Sequence, residues 1–271
     1  MATRKSPMIT LLSDFGLKDP YVAEMKAVIL SICPNATIID ISHQVRKFDI
    51  RMGAFILAQA APYFPKGTIH VAVVDPGVGT KRRPIIIEAK NCLYVGPDNG
   101  LLMLAAQREG MSRIYEIANP AYMLENVSTT FHGRDIFSPA AAHLAKGTSP
   151  SDFGSEILDP VTPSFAEPLI QKGKIRGEVI HIDGFGNVIT NITPRDLRKI
   201  GLEQGRSLLL RLGDEDLTPR FCTAYGEVPG NTPLAIVGSS GFLEVAVNQG
   251  DASKTFKAKT GDKTVIKVSS P

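Results

Sequence analysis

Short apolar runs alternate with helical repeats along the first half of the chain, and in the second half that alternation stops. Residues 9–12 form an apolar run that ends in Ser13-Asp14-Phe15-Gly16. Pro20 then suits the first turn of a helix, with Asp19 as its N-cap. Val22, Met25, Ile29 and Leu30 recur at helical spacing until Cys33-Pro34-Asn35 ends the pattern. Residues 37–41 read as a second strand and 49–61 as a second helix, closed by Pro62. Residues 69–74 are a β-branched, apolar third strand that ends abruptly in Asp75. The order β-α-β-α-β predicts a parallel sheet covered by helices. Residues 84–89 and 93–95 predict a hairpin, and Gly96-Pro97-Asp98-Asn99-Gly100 a turn that opens a helix running to about Arg108. A strand over 114–117 and a helix over 136–145 follow, the latter stopped by Lys146-Gly147.

From 149 to about 172 the texture changes: Pro150, Pro160, Pro163 and Pro168 among mixed polar residues predict a linker wrapping the surface. Beyond it, 177–183, 188–192, 207–212, 234–237, 243–247 and 264–268 read as short strands, interrupted by one brief helix near 194–200. That spacing fits an antiparallel sheet or small barrel. The expected organisation is an α/β domain over 8–150, a linker over 151–172 and a β domain over 173–271.

Composition narrows the classes of function. Apolar residues make up 43% of the 271 and charged residues 21%, values ordinary for a soluble protein. A net charge of +3 from scattered basic residues points to neither nucleic acid nor a membrane surface as partner. No apolar run approaches the ~18 residues needed to span a bilayer. Met1-Ala2-Thr3-Arg4-Lys5-Ser6 is basic, but a strand with Asp14 follows it rather than a signal-peptide core. Cys33, Cys92 and Cys222 are odd in number and far apart, so reduced thiols and a cytoplasmic location are expected.

The chemistry concentrates in loops. Val74-Asp75-Pro76-Gly77-Val78-Gly79-Thr80-Lys81-Arg82-Arg83 delivers a carboxylate at the end of a buried strand, where open α/β sheets place ligands. Asp75 and Arg82 at opposite ends of that turn read equally as a structural ion pair or a reactive one. Asp14 could serve a ribose diol, since one carboxylate accepts two hydrogen bonds. Asp183-Gly184-Phe185-Gly186-Asn187 and Gly238-Ser239-Ser240-Gly241 are the corresponding loops of the second half, the latter a nest of N–H groups or simply a hairpin turn. Among five histidines, His70, His143 and His181 read as structural, His43 as ambiguous, and His132, in Thr130-Phe131-His132-Gly133-Arg134-Asp135, as an acid/base candidate. Metal-ligand spacings, phosphate loops, dinucleotide fingerprints and nucleophile elbows do not occur. The residues alone imply an enzyme for a small polar, nucleoside-like ligand.

Taken together, these motifs, with Ser31-Ile32-Cys33-Pro34, resemble the S-adenosyl-L-methionine hydrolases (adenosine-forming), or SAM hydroxide adenosyltransferases, relatives of the fluorinase and chlorinase enzymes. The resemblance runs from about Ile9 to Val268. It implies a mixed α/β/α sandwich followed by a smaller antiparallel β-barrel-like domain. It also implies a homotrimer, with ligand held between one subunit's N-terminal and a neighbour's C-terminal domain. The catalytic positions carry over to Asp75, Arg82 and His132, with Arg82 preferred to Arg83 because it lies at the matching place, seven residues after Asp75. Asp14 carries over as the ribose ligand, Asp183 and Ser239 as ligands for the methionine ammonium and carboxylate. Phe185, Asn187, Tyr225 and the backbone near Val247 line the adenine pocket, and Glu244 is carried over as substrate-binding. Phe48 fills a place that holds a large aromatic in the halogenating relatives.

The implied reaction is hydrolysis of S-adenosyl-L-methionine to adenosine and L-methionine by SN2 attack of water-derived hydroxide on C5′, with no cofactor and no metal. Two alternatives stand beside it, a halogenase of chlorinase type and a non-catalytic sensor of S-adenosyl-L-methionine or adenosine. A carboxylate at 75 would repel a halide, and Gly133 lacks the hydroxyl found in the fluorinating type.

Overall fold

The computed structural model describes residues 6–171 and 173–268; the basic residues 1–5 of the N-terminus lie outside the described residues. Two compact units divide the chain, Met1–Thr162 and Pro163–Pro271. The first contains β1 (Met8–Ser13), α1 (Tyr21–Ile32), β2 (Thr37–Ser42), α2 (Ile50–Ala60), β3 (Thr68–Val73), β4 (Pro84–Ala89), β5 (Cys92–Pro97), α3 (Met103–Glu109), β6 (Met111–Glu116) and α4 (Ser138–Ala145). Its sheet has the order β2-β1-β3-β5-β4-β6. β1, β2, β3 and β5 run parallel, and β4 pairs antiparallel with both β5 and β6.

Central parallel strands are covered on both faces, which is why β3 is buried at every position and its sequence reads as an unbroken apolar run. Ile9, Leu11, Ile69, Val71 and Val73 pack with Met25 and Ile29 of α1 and Phe137, Ala140 and Ala141 beside and within α4. On the opposite face α2 approaches so closely that a Cβ at Gly53 would crowd Leu101 and Val74. The result is an α/β/α sandwich. β1 and β3 are in register with Ser13 opposite Val73, so Asp14 and the 74–75 segment leave the sheet side by side at its C-terminal edge.

Local signals account for the helix ends in part. Asp49 caps α2 by accepting from the Met52 N–H at 2.9 Å. The cap expected from Asp19 is not made: Pro20 occupies the N-cap position in helical conformation, its carbonyl accepting from the Glu24 N–H. The expected loop before α4 is wound into a π-helical turn, Gly133–Phe137.

His70 is wholly buried in β3, bonded through Nδ1 to Thr10 Oγ1 at 2.8 Å and packed between Phe64 and Tyr94, 5.5 and 5.2 Å between ring centres. Burial lowers its pKa to about 4, so the neutral ring is the folded form. Unfolding restores the ordinary value of 6.5, so the unfolded chain takes up the extra proton between those limits and stability falls as pH drops from about 6.5 to about 4. The loss from this group amounts to about 3 kcal/mol. Urea unfolding across that range should give a flatter pH dependence in His70→Gln than in the wild type, and equal slopes would remove His70 from the explanation.

The second unit contains β7 (Leu169–Gln171), β8 (Lys174–Ile182), β9 (Val188–Thr190), α5 (Pro194–Lys199), β10 (Leu208–Leu212), β11 (Glu215–Leu217), β12 (Arg220–Cys222), β13 (Pro233–Val237), β14 (Leu243–Val247), α6 (Ala252–Thr255) and β15 (Lys263–Val268). The sheet order is β11-β10-β15-β8-β9-β14-β13-β12, with β7 added to β8, and every pair except β12–β13 is antiparallel. The sheet curls back on itself: Ser207, just before β10, bridges Arg220 of β12, and Leu208 and Phe221 donate to the Pro219 and Arg206 carbonyls. That return makes it barrel-like around a core of Val179, Val188, Leu210, Leu243 and Ile266. Among the described residues no helix is long and apolar enough to cross a membrane.

Candidate active site

At the C-terminal edge of the first sheet a cavity of about 210 Å³ opens, bounded by Asp14 and Phe15 after β1, Lys47 and Phe48 before α2, Asp75 and Val78 after β3, and Phe131 to Gly133 before α4. Each wall is thus a loop following or preceding a buried element, a rigid frame for mobile chemistry.

Arg82 is the hub. Its Nε donates to Asp75 Oδ1 at 3.2 Å, and Nη2 donates both to Asp75 Oδ2 and to His132 Nδ1, the latter at 3.0 Å. Both side chains of the ion pair are nearly dry, 7% and 4% exposed, so the fork is held without competition from water. Arg82 Nη1 is also buried and has no protein acceptor among the described residues. Behind it the guanidinium carbon lies 5.4 Å from the centre of the Phe137 ring. Arg83 faces elsewhere, donating to Asp98 from Nε and Nη2 at 3.0 and 2.7 Å and to Asp159 from Nη1 at 2.8 Å.

His132 is held by this pair. Arginine offers only donors, so Nδ1 supplies the lone pair and the ring hydrogen lies on Nε2. Burial, and then the neighbouring Arg82 charge, push its pKa down against the opposing pull of Asp75 and Asp135. The ring is therefore neutral at pH 7 and presents an Nε2–H donor. Its loop is braced by Asp135, which accepts from the Ser128 N–H at 2.7 Å and Arg134 Nε at 2.6 Å. Burial alone would raise the Asp135 pKa, but Arg134 and the Ser128 N–H outweigh it and hold the carboxyl low.

Asp14 is 9% exposed and accepts the Phe48 N–H on Oδ2 at 2.8 Å. Phe48 takes φ 65°, uncommon for a non-glycine residue, and its ring is exposed. Phe15, Tyr21 and Phe131 form an aromatic wall, with ring centres 5.1 to 5.7 Å apart. Sequence reasoning had no role for that wall; its only signal was the aromatic residue inside each of two motifs, Phe15 and Phe131.

In the second unit a separate polar cluster forms. Asp183 closes the turn after β8 by accepting the N–H groups of Phe185 and Asn187 on Oδ1, each at 2.9 Å, and Asn187 Nδ2 on Oδ2 at 3.0 Å. Asn187 is buried, whereas Phe185 is 82% exposed. Glu244, 5% exposed in β14, accepts from Tyr225 Oη at 3.1 Å and Ser240 Oγ at 3.4 Å. Burial, with Asp183 nearby, raises the Glu244 pKa; burial and Glu244 push the Tyr225 phenol up to about 12. The carboxyl of Glu244 occupies the space a side chain at Gly238 would need. Of the two adjacent serines, Ser240 is buried against Glu244 and Ser239 is exposed in the turn; Val247 ends β14, buried. A larger groove of about 450 Å³ runs between Leu209, Val265 and Lys174 of this unit; its lining includes Asp216, paired with Arg211 at 3.3 Å, and no histidine. Among the described residues no three histidine, cysteine or acidic side chains gather at metal-binding geometry.

The chain matches the family model for the SAM hydroxide adenosyltransferase N-terminal domain over residues 9–154 and that for the C-terminal domain over 177–265. It is 39% identical over 260 residues to the (R)-S-adenosyl-L-methionine hydrolase of Thermus thermophilus, a match that covers 93% of this chain and 96% of the relative. The hydrolase of Methanocaldococcus jannaschii is 36% identical over 269 residues, 96% of this chain and 95% of the relative. A fluorinase from an Actinoplanes species is more distant, 29% identical over 293 residues, 96% of this chain and 97% of the relative. Among solved structures, an uncharacterized conserved protein of Thermotoga maritima matches with a TM-score of 0.82 and 40% identity, covering 96% of this chain and all of that one.

Proposed function

The chain belongs to the SAM hydroxide adenosyltransferase family, and we propose that it hydrolyses S-adenosyl-L-methionine to adenosine and L-methionine by in-line attack of water-derived hydroxide on C5′. The observation that carries this reading is that Asp75 and His132, joined through the Arg82 guanidinium, line one cavity with Asp14.

The sulfonium is already an activated leaving group, so departure of methionine needs no acid. The missing component is a nucleophile about 3–3.5 Å from C5′, opposite sulfur. Bulk water, with a pKa of about 15.7, supplies almost no hydroxide at neutral pH. A water accepting from Arg82 and from His132 Nε2–H is easier to ionise, its proton passing to solvent, because both donors strengthen toward an anion. Asp75 fixes the guanidinium plane and thereby the two donor directions. His132 serves as a donor rather than a base, since the lone pair of Nδ1 is engaged by Arg82. Asp14 takes the ribose hydroxyls, Asp183 the methionine ammonium and Ser239 its carboxylate. Phe185, Asn187, Tyr225 and Val247 take the adenine, and Glu244 adds a second acid beside Asp183. No metal is required, so a chelator should leave turnover unchanged.

Asp75 also separates hydrolysis from halogenation, because a buried carboxylate repels an incoming halide, whereas water enters neutral and is ionised only in place. Product chromatography with excess chloride or fluoride should give adenosine and methionine in equal amounts; a 5′-halo-5′-deoxyadenosine peak would overturn the hydrolytic reading, and absence of any product would leave only a binding protein. We further propose a homotrimer, in line with the family resemblance; a monomer mass by light scattering would contradict it.

A further inference from the structure

We infer that His43 is a positioning residue that holds Asp14 in its ribose-binding orientation, an inference that rests on Asp14 being the ribose ligand. A carboxylate that must accept two hydroxyl hydrogens at once needs a fixed plane, and Asp14 sits where the sheet no longer supplies one. The β1–β2 ladder shifts register between Leu11 and Leu12, and its last pair is Leu12 with Ser42. Beyond that point Ser13 keeps only its pairing with Val73 of β3, and residues 14–16 belong to no ladder.

His43 takes over at both levels. Its carbonyl accepts the Gly16 N–H at 2.8 Å, and its Nδ1 meets Ser13 Oγ at 2.7 Å across a contact that is fully dry. Ser13 Oγ in turn accepts the Phe15 N–H at 3.3 Å. Residues on both sides of Asp14 are thereby tied to one residue, Gly16 to its carbonyl and Ser13, with Phe15 behind it, to its imidazole, and His43 is only 4% exposed. On its far side Nε2 lies 3.2 Å from Asp40 Oδ1, and Lys26 Nζ donates to the other oxygen of Asp40 at 2.6 Å. Asp40 beside Nε2 favours the hydrogen there, leaving Nδ1 to accept from the Ser13 hydroxyl while the lone pairs of that hydroxyl take the Phe15 N–H. Donation runs in one direction from the Phe15 N–H through Ser13 Oγ to His43 Nδ1, with Asp40 beside Nε2 as a charged neighbour rather than a hydrogen-bond acceptor, and none of these groups touches the reacting atoms. The Phe48 N–H holds the Asp14 carboxylate directly at Oδ2, while His43 acts on it through the backbone on either side.

A positioning role makes a prediction that general destabilisation does not. Calorimetric affinities should be compared for adenosine and for 2′,3′-dideoxyadenosine, which lacks the hydroxyls Asp14 would hold. In His43→Ala, adenosine should bind roughly tenfold more weakly while dideoxyadenosine changes less than about twofold, so the preference for the diol collapses. Asp14→Ala should lose the same preference. Discrimination that survives Asp14→Ala overturns the ribose reading and this inference with it. Discrimination lost in Asp14→Ala but intact in His43→Ala overturns the positioning role alone. Should His43→Ala weaken both ligands alike, Ser13→Ala decides by the same ratio, since it deletes the same bond and leaves the imidazole filling its space; a wild-type ratio there overturns the inference.

Discussion

Replacing Arg82 with alanine is expected to lower turnover of S-adenosyl-L-methionine by about 10²–10³-fold while changing its dissociation constant less than about tenfold. The size follows from what one guanidinium does. It neutralises Asp75, fixes the Nδ1 lone pair of His132 and offers the remaining buried donors of Nη1. Without it, Asp75 and His132 lose their common partner and the carboxylate faces the nucleophile uncompensated. Water bound there becomes harder to ionise, so the rise of kcat with pH should move to higher pH than in the wild type. Arg82→Lys should recover only part of the loss, because an ammonium cannot make the forked contact with Asp75 and reach His132 together. Near-normal kcat with weakened binding would assign Arg82 to substrate recognition and remove it from the chemistry.

The second large effect is expected from a residue with no functional side chain. Gly79 has φ 74°, and a Cβ there would clash with the Thr129 carbonyl oxygen, in the loop that carries His132. The glycine is what lets the Arg82 loop and the His132 loop touch, and the 3.0 Å contact between those side chains depends on that approach. Gly79→Ala forces the loops apart, and a displacement near 1 Å at a reacting centre costs on the order of 10²-fold in rate. Turnover should therefore fall about 10–10²-fold, with a stability loss exceeding the ~1–2 kcal/mol that a left-handed alanine alone forfeits. Gly67→Ala supplies the control: φ is 85° there, but nothing lies within 4 Å of the added carbon. It should show the left-handed stability penalty without the kinetic loss. Equal kinetics in the two alanine variants would mean that loop approach does not limit catalysis.

The first β-α-β-α-β order was legible because its helices are long enough for the helical period to repeat, as in α2, and its central strand β3, buried on both faces, reads as an unbroken apolar run. β11, β12 and α6 were not, being three or four residues long, shorter than any repeat that could betray them. The π-helical turn at Gly133–Phe137 escaped for a related reason, since one turn has no sequence period of its own. Adjacent arginines pose a different problem. Arg82 and Arg83 are chemically alike, and only the contacts made by the start of β4, which commit Arg83 to Asp98 and Asp159, leave Arg82 for Asp75. His43 stayed ambiguous because its partner Ser13 lies thirty residues away and only parallel pairing brings them together. Likewise the Gly-Ser-Ser-Gly loop does not say which serine turns inward; the strand ladder puts Ser240, not Ser239, against Glu244.

The most direct measurement is a single turnover in water enriched in oxygen-18, with both products weighed by mass spectrometry. Attack by hydroxide on C5′ puts one heavy oxygen on the 5′-hydroxyl of adenosine and none in methionine. Unlabelled adenosine, or label found in methionine, would contradict water-derived attack at C5′ and with it the water-activating role of Asp75, Arg82 and His132.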